Sequence, residues 1–238
     1  MRVSLIVTCL GDALFPEVGI ATVRLLRRLG VEVDFPQAQT CCGQPHFNSG
    51  FADAARDLAR HAIAAFDNGQ VVVAPSGSCA AMVKLEYPEL FHGDRVWHGR
   101  AVNLAERTLE LSCFLIHRLG IEDVGARFDG KATYHMACHL RGLGVNTEPE
   151  RLLRRVRGLE LLPLERYDEC CGFGGSFSVR FPEISGAMVC DKAKFIEQSG
   201  VDAVVATDSG CLMNIAGCLR RRGSKVRTLH LAQVLEQT

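Results

Sequence analysis

Hydrophobic residues along the chain form two kinds of pattern, short continuous runs and longer stretches with helical spacing. Val3–Thr8 and Val71–Ala74 are short, mainly apolar runs of the kind found in parallel strands that are covered on both faces. Between them, Glu17–Leu29 and Phe51–Phe66 carry apolar residues at helical spacing. With a second strand at Val31–Phe35, the pattern predicts strands that alternate with helices.

The same order of elements returns after residue 130, which indicates a second unit of the same kind. Alternation of this type favours parallel sheets with crossover helices. The elements predicted in this half are strands at Lys131–Ala137, Leu159–Leu164 and Val201–Ala206, and helices at Arg151–Val156 and Ile184–Gln198. In both halves a further helix is predicted to begin at the cysteine after the third strand, Cys79 or Cys211.

The cysteines repeat in step with these elements. Of the 11 cysteines, Cys9, Cys41 and Cys42 each have a counterpart 129 positions later, and Cys79 has one 132 positions later. We call the two groups the first cysteine set, Cys9, Cys41, Cys42 and Cys79, and the second cysteine set, Cys138, Cys170, Cys171 and Cys211.

The residues that flank the cysteines repeat as well. Residues 71–79 resemble 204–211, and residues 107–111 resemble 227–231. Matches that recur in the same order indicate a duplication. The predicted fold class is therefore α/β, with two duplicated cysteine-rich domains at 1–120 and 130–238. We expect parallel sheets with crossover helices, a pseudo-two-fold relation between the domains, and cysteine sets that face a common cleft.

Charge and composition narrow the functional classes. The chain has 27 basic and 27 acidic residues, and a formal net charge of zero argues against a nucleic-acid-binding protein. No apolar run approaches the ~18–20 residues that a transmembrane helix needs. The apolar run at the start is broken by Thr8 and stopped by Asp12, so we interpret it as a buried strand rather than a signal peptide. We therefore expect a cytoplasmic protein, in which cysteines favour metal or redox sites over a disulfide framework.

Chain order places each cysteine set at one edge of its sheet. In open α/β sheets, ligands collect beyond the carboxyl ends of the strands. Cys9, Cys79, Cys138 and Cys211 each follow a predicted strand directly, and the adjacent cysteine pairs follow the remaining strand through a loop. Each set is therefore predicted to form one site.

Adjacent cysteines indicate the size of the group that they bind. The side chains of neighbours such as Cys170 and Cys171 diverge, so a single tetrahedral ion rarely takes both, whereas a cluster of several irons is large enough for both. Gly43 and Gly172 allow the backbone to turn closely past the sulfurs. The segment 172–175 also offers free N–H groups as donors to cluster sulfide. The second set is therefore predicted to bind its metal or cluster more tightly than the first.

The pattern of Cys9, Cys41-Cys42-Gly43 and Cys79, repeated in the second set, resembles the CCG or cysteine-rich domain of iron–sulfur oxidoreductases. That family includes the B-type component of heterodisulfide reductase and the iron–sulfur subunits of glycolate oxidase and anaerobic glycerol-3-phosphate dehydrogenase. A free-standing pair of such domains, with segments 75–82 and 170–177 as they stand here, is most similar to the lactate-utilisation protein A family.

The resemblance implies a function, cofactors and partners. It implies a role in the oxidation of L-lactate to pyruvate, alongside a ferredoxin-type iron–sulfur partner, lactate-utilisation protein B, and a third partner, lactate-utilisation protein C. It also implies that the eight cysteines of the two sets hold iron–sulfur clusters, and that the chain passes electrons without completing the reaction alone. A glycolate- or heterodisulfide-type redox subunit is the alternative within the same family, and no catalytic residue is assigned.

The chain departs from the family pattern at two positions. The family ends each domain in Cys-x-x-Cys, but Met82 and Asn214 stand at the final positions here. Met is a soft thioether, and Asn is a poor ligand for iron. Four thiolates can hold one 4Fe–4S cluster and equally a closed structural zinc ion. A zinc- or thiol-stapled scaffold and a metal-free thiol–disulfide enzyme therefore stay open beside the iron–sulfur subunit.

Histidines and cysteines outside the two sets are interpreted as structural residues. The histidines that flank the cysteine positions are interpreted as ordinary hydrogen-bonded or exposed residues rather than as ligands or proton donors. They are His46, His135 and His139. The cysteines without a counterpart in the other half are predicted to lie in the core. They are Cys113, Cys190 and Cys218.

Residues 83–106 are about a dozen residues longer than their counterpart in the second half, and we call this segment the aromatic insertion. Its side chains include Tyr87, Phe91, Trp97 and His98. Such a cluster is typical either of a partner surface or of a lid that packs on the core. We expect a contact surface for the ferredoxin-type protein, because exposed aromatic side chains often anchor interfaces.

Overall fold

The computed structural model describes all residues, 1–238, and its first half contains four strands and eight short to medium helices. These elements are β1 (Arg2–Leu5), α1 (Cys9–Leu14), α2 (Pro16–Arg28), β2 (Glu32–Asp34), α3 (Gln44–Asn48), α4 (Ala52–Ala65), β3 (Val71–Ala74), α5 (Gly77–Ala81), α6 (Tyr87–Leu90), α7 (Arg95–Arg107), β4 (Thr108–Glu110) and α8 (Leu111–Cys113). Two π-helical turns, Met82–Glu86 and Phe114–Arg118, continue α5 and α8.

The second half repeats the strand count with six helices. Its elements are β5 (Arg127–Tyr134), α9 (Cys138–Gly142), α10 (Glu148–Leu153), β6 (Arg157–Leu162), α11 (Ser176–Arg180), α12 (Pro182–Gln198), β7 (Ala203–Ala206), α13 (Ser209–Arg221), β8 (Arg227–His230) and α14 (Leu231–Glu236). None of the helices in the structure has both the length and the apolar character needed to cross a membrane.

Each half forms a four-stranded parallel sheet, and the two sheets have the same strand order. The orders are β2-β1-β3-β4 and β6-β5-β7-β8. Register agrees as well, because residues 3–5 of β1 pair with 71–73 of β3, as 132–134 of β5 pair with 203–205 of β7. The predicted fold class of two duplicated α/β units is confirmed.

Most predicted elements are present, with shifts at their ends. β3 has the predicted bounds, and α2, α4 and α12 agree within two residues. The strand predicted to reach Ala137 ends at Tyr134, so His135 lies just beyond it. The helix predicted at Arg151–Val156 begins earlier, at Glu148, with a proline in its first turn, where a missing N–H has no cost.

The two halves share part of their core. One hydrophobic cluster of 29 buried residues draws on β1 and α2 from the first half and on β5 and α14 from the second. Helix α2 packs against α14, and Arg28 of α2 donates hydrogen bonds to the carbonyl oxygens of Leu235 (2.6 Å) and Glu236 (2.5 Å). A cation at a helix C-terminus is stabilised by the free carbonyls there. The halves are therefore mutually stabilising, and the domain limits of 1–120 and 130–238 stay a prediction.

The aromatic insertion packs inward, and the expectation of an exposed aromatic partner surface is wrong for its principal residues. Tyr87 and Phe91 are buried, with 0% and 2% exposure. Trp97 stacks on Phe91 with ring centroids 5.9 Å apart, and the Arg100 guanidinium lies 4.7 Å from the Trp97 ring centroid. The insertion is thus the lid on the core that the sequence left as the alternative.

Candidate metal centres

The first cysteine set comes together from three segments that each follow a strand. Cys9 opens α1 after β1, Cys41 and Cys42 lie in the loop after β2, and Cys79 lies in α5 after β3. The Sγ atoms of Cys9 and Cys41 are 3.5 Å apart, and those of Cys42 and Cys79 are 3.4 Å apart. The four thiols therefore form a connected group at the carboxyl edge of the first sheet, as the strand order requires.

The second cysteine set is built in the same way. Cys138 opens α9, Cys170 and Cys171 lie in the loop after β6, and Cys211 lies in α13. Cys170 interacts with both Cys138 and Cys171, and Cys171 interacts with Cys211, in the same order as in the first set. The predicted helix starts at Cys79 and Cys211 are two residues late, because α5 and α13 begin before these cysteines.

Mutual hydrogen bonds divide the thiols of each set into one acceptor and its donors. Bonds from Cys42 and Cys9 lower the pKa of Cys41, and bonds from Cys138 and Cys171 lower that of Cys170. The neighbouring thiols have raised pKa values, first through the interaction with Cys41 or Cys170. For Cys9 and Cys138 burial follows, and for Cys42 and Cys171 the interaction with Cys79 or Cys211 follows before burial. Thiols this close cannot all ionise without a cation among them. Each set therefore has the donor chemistry of a metal or cluster site.

A glycine after each cysteine pair makes the predicted close turn. Gly43 and Gly172 have φ of 89° and 80°, a region that favours glycine. The N–H of Gly43 donates to Cys41 Sγ at 3.5 Å, and that of Gly172 donates to Cys170 Sγ at 3.4 Å. A Cβ at Gly172 would lie only 2.8 Å from the carbonyl oxygen of Ser185. The turn thus aims a backbone dipole at the acceptor thiol of each set.

The residues at the fifth-cysteine positions have structural roles. Met82 is fully buried in the hydrophobic cluster that also contains Cys42 and Cys79. Asn214 donates from Nδ2 to the carbonyl oxygen of Cys171 at 2.9 Å. In the first half the corresponding carbonyl, that of Cys42, accepts from Tyr87 Oη at 2.8 Å. The sequence alone predicted neither hydrogen bond. The bond from Tyr87 comes from the aromatic insertion, which has no counterpart in the second half.

Of the three flanking histidines, His135 contradicts its sequence interpretation as an ordinary hydrogen-bonded or exposed residue. It is fully buried, and neither ring nitrogen has a hydrogen-bond partner. A ring nitrogen of His135 lies within 4.8 Å of the Sγ atoms of Cys171 and Cys211. Burial, followed by the nearby Lys192 ammonium, lowers the pKa of His135 to about 4. Buried nitrogens without a partner need an explanation, and a metal or cluster held by the second set would supply one.

The other two histidines differ from His135 and from each other. His46 is exposed on α3, as expected. His139 is half-buried, and its Nδ1 lies 3.6 Å from Cys138 Sγ. His139 therefore stands at the mouth of the second set rather than inside the protein.

A cavity of about 80 Å³ lies between the halves, beside the second set. All four cysteines of that set line it, together with Gln44, Pro45, Asn48 and Ser78 from the first half. Asp208 Oδ1 accepts from the hydroxyls of Ser76 and Ser78 at 2.7 Å each, while its buried Oδ2 has no partner. The sequence predicts that both cysteine sets face this cleft. The cysteines of the second set do line it, but from the first half only residues close in sequence to Cys42 and Cys79 reach it.

The unpaired cysteines are less uniform than predicted. Cys218 is buried, as expected of a core residue. Cys113 and Cys190 are half-buried and pack against the edges of the core clusters, so the core prediction holds for them only in part. Cys190 and Cys218 face each other across α12 and α13 with Sγ atoms 3.6 Å apart, and Cys113 lies near His117 and Glu148.

Comparisons with known proteins agree with this duplicated construction. The family model of the cysteine-rich domain, CCG, matches residues 3–84 and 132–216. Lactate utilization protein A of Geobacillus sp. (strain WCH70) is 51% identical over 236 residues, 99% of each chain. The proteins of the same name from Geobacillus kaustophilus and Bacillus licheniformis are 52% and 49% identical, and both matches cover 99% of this chain. They cover 98% and 99% of those two relatives.

Among solved structures, similarity is weak. An aspartate racemase homologue from Pyrococcus horikoshii OT3 matches with 12% identity and a TM-score of 0.34, over 99% of this chain and 96% of its own. That value is too low to support a conclusion. The full-length sequence matches and the repeated domain decide the assignment: the chain belongs to the lactate utilization protein A family, and it contains two cysteine-rich domains of the CCG type.

Proposed function

We propose that this protein is the iron–sulfur subunit of a multi-subunit oxidoreductase that oxidises L-lactate to pyruvate. The observation that carries the proposal is a pair of four-thiol groups of the same construction in a member of this family. Conversion of lactate to pyruvate releases two electrons and two protons, and thiolate-bound iron–sulfur clusters are electron carriers. Two such sites in one chain match the number of electrons.

In this proposal each cysteine set holds one cluster, most simply 4Fe–4S, which supplies one-electron transfer when bound. The chain's own groups prepare the two sites. The N–H groups of Gly43 and Gly172 stabilise the acceptor thiolates, and burial of Cys42 and Cys171 limits access of water. In the second site, a ring nitrogen of His135 lies within 4.8 Å of the Sγ atoms of Cys171 and Cys211, where its N–H would donate to the bound group.

The proposal places the chain in a larger assembly. Lactate oxidation requires a substrate site, an acceptor for the electrons and an exit route, whereas the groups assigned to this chain carry electrons only. We assign it to a complex in the cytoplasm with lactate-utilisation proteins B and C, of which protein B is the ferredoxin-type iron–sulfur partner. The relatives' name supports a lactate-utilisation system.

Zinc in one or both sites is the second candidate, and a specific observation favours it. Because Met82 is enclosed in the core and Asn214 is bound to a backbone carbonyl, each site offers four thiols and no fifth. Four thiolates make a closed, structural zinc site. The protein would then be a scaffold subunit without redox chemistry of its own.

Anoxic purification followed by metal analysis tests the two candidates directly. The iron–sulfur proposal expects iron and acid-labile sulfide in comparable amounts, little zinc, and absorption near roughly 400 nm that is bleached by dithionite. Stoichiometric zinc without sulfide would replace it with the scaffold, and neither metal would leave the metal-free thiol–disulfide enzyme.

A lactate-dependent dye assay tests the role within an assembly. The chain alone should not reduce the dye, and the chain with lactate-utilisation proteins B and C should. Robust activity of the isolated chain would contradict the assignment to an assembly.

A further inference from the structure

The two cysteine sets have the same thiols but different surroundings. Ile6 and His135 are equivalent residues, because the Ile6 N–H donates to Val73 O (2.9 Å) just as the His135 N–H donates to Val205 O (2.8 Å). The first site therefore has a buried aliphatic side chain where the second has a buried imidazole beside Cys171 and Cys211. The imidazole adds a polar donor to one site only.

A second position also has a polar residue in the second half and an apolar residue in the first. The Gly43 turn approaches Ala55 of α4, and the Gly172 turn approaches Ser185 of α12, so α4 and α12 correspond at an offset of 130 residues. At this offset Lys192, which is 2% exposed, stands where the first half has the buried Ala62. Its Nζ donates to the carbonyl oxygen of Arg166.

Electrostatics connect the Lys192 ammonium to the second site. Burial lowers the pKa of Lys192, and Glu169, Cys171, Asp168 and Cys170 act on it in the opposite direction. Lys192 lies one turn after Met188 on α12, and a Cβ at Gly172 would lie 2.9 Å from Met188 Cβ, so Lys192 is on the helix face that meets the loop of the adjacent cysteines. The first site has no buried cation at the equivalent position, where Ala62 stands.

Nearby carboxylates do not cancel this difference. Asp168 is paired with Arg141 at 3.0 Å, and Glu169 is paired with Arg166 at 3.2 Å. Asp208 lines the cavity beside the second set and contributes to the raised pKa of Cys138, so its charge opposes that of Lys192 at this site. Its Oδ1 accepts hydrogen bonds from the hydroxyls of Ser76 and Ser78, which offset part of that charge.

In the first site the side chain that acts on a cysteine in the same direction is His46, and its electrostatic effect is smaller. His46 lies near Cys41 and lowers its pKa, but it is exposed, so solvent screens it.

We propose that His135 and Lys192 raise the reduction potential of the group bound by the second set above that of the group bound by the first, so that the second site is reduced first. Cluster potentials depend on net charge, hydrogen bonds to the sulfurs and solvent exposure. An N–H donor and a buried cation both stabilise the more negative, reduced form. The inference rests on the proposed function, since it requires a redox-active group in each site.

A redox titration of the reconstituted full-length protein tests the order. Reduction with dithionite is followed by electron paramagnetic resonance and visible absorption at defined potentials. Cys42→Ser, reconstituted with excess iron and sulfide, reports on the second site, and Cys171→Ser reports on the first. We expect two separate potentials in the unmodified protein, the higher one retained in Cys42→Ser. Equal potentials or the reverse order would overturn the inference.

Variants that give the second site the residues of the first test the cause. His135→Ile and Lys192→Ala should each shift the higher potential downward and leave the lower one in place. Lys194→Ala is the matched control, because Lys194 is on the same helix but exposed and paired with Asp191 at 2.9 Å. It should shift neither potential. Unchanged second-site potentials in both His135→Ile and Lys192→Ala would overturn the role of these residues.

The possible failures are distinguishable. If His135→Ile or Lys192→Ala does not retain its cluster, the remaining variant still tests the cause. The order of the two reduction potentials in the unmodified protein still tests the inference. Protein that binds no iron at either set would overturn the proposed function and this inference together. Two filled clusters in the wrong order would overturn the inference alone.

Discussion

The two cysteine sets show the same thiol arrangement supported by different neighbours. The carbonyl of Cys42 is held by Tyr87, from a helix that only the first half possesses, whereas that of Cys171 is held by Asn214, which lies three residues after Cys211. The duplicated fold has therefore kept the geometry at the adjacent cysteines while changing the residues that maintain it. Each support can be tested against its counterpart.

The largest expected difference concerns metal retention. Cys171→Ser should remove most of the bound iron, and Cys42→Ser should remove less. The reason is that the N–H groups of Gly172 and Phe173 both interact with the second pair, whereas Pro45 after the first pair has no N–H to donate. Iron and sulfide per chain, measured after exposure to a chelator, give the answer. Cys218→Ser, a buried cysteine outside both sets, should leave iron unchanged, and equal or reversed losses would refute the ranking.

The next difference concerns how stability depends on pH, and it involves the equivalent N-terminal caps of α8 and α14. Glu110 Oε2 accepts from the N–H of Ser112 at 2.7 Å at the start of α8, and His230 Nδ1 accepts from that of Ala232 at 3.1 Å at the start of α14. Burial raises the pKa of Glu110 to about 7 and lowers that of His230. Folding thus takes up a proton at Glu110 between pH 4.5 and 7, and the contribution of Glu110 to stability falls as pH rises through that window.

Glu110→Gln should remove that fall, which amounts to roughly 3 kcal/mol at most at 1.36 kcal/mol per pKa unit. His230 acts in the opposite sense, because its folded pKa lies below 6.5 and its contribution is lost as pH decreases from there. Denaturant unfolding at pH 5, 6, 7 and 8 measures both slopes. Glu106→Gln, on the exposed face of α7, is the control with no expected change in slope. An unchanged slope in Glu110→Gln would show that this carboxyl does not titrate as described.

The glycine turns should differ in their tolerance of a methyl group. At Gly172 an added Cβ would lie 2.8 Å from Ser185 O and 2.9 Å from Met188 Cβ, whereas at Gly43 the nearest atoms are 3.4 Å away. Gly172→Ala should cost about 2–3 kcal/mol of stability and Gly43→Ala about 1 kcal/mol, since both also require a strained positive φ. Thermal unfolding measures the costs. Gly217→Ala within α13, where no atom lies within 4 Å, should be neutral or stabilising, and equal costs at the two turns would weaken the comparison.

The smallest expected effect is loss of the carbonyl supports. Tyr87→Phe should destabilise the protein by about 1–2 kcal/mol, because it removes a donor from a fully buried carbonyl. Asn214→Ala should cost about 0.5–1 kcal/mol, since Asn214 is only half-buried. Chemical denaturation of both variants beside Tyr167→Phe, whose residue is 41% exposed, provides the measurement. If Tyr87→Phe matches the Tyr167 control, the bond to Cys42 contributes nothing.

Elements with a strong local signal were predictable. The run Val71–Ala74 matches β3 residue for residue, because four consecutive apolar residues between polar segments favour a buried strand. The duplication strengthened weaker signals, since a segment such as Lys131–Ala137 could be interpreted from its counterpart. Its predicted end lies three residues too late, because apolar character continues past the last strand pairing at Tyr134.

Elements whose signal depends on distant residues were not predictable. The strands β4 and β8 have only three and four residues, and their sequences indicate a repeat without indicating strands. The expected orientation of the aromatic insertion was wrong, because the same residues suit an interface and a core. The buried state of His135 follows from packing around the end of β5, which no local pattern records.

The sequence by itself determined that each half is an α/β unit and that four cysteines per half meet, because the spacing of strands and cysteines leaves one edge of the sheet for them. Only the tertiary structure decided how the halves join. Asp208 binds Ser76 from 132 residues away, α14 covers α2, and a buried imidazole and ammonium distinguish one thiol group from its duplicate. These features arise from contacts between residues far apart in the chain, so no local periodicity carries them.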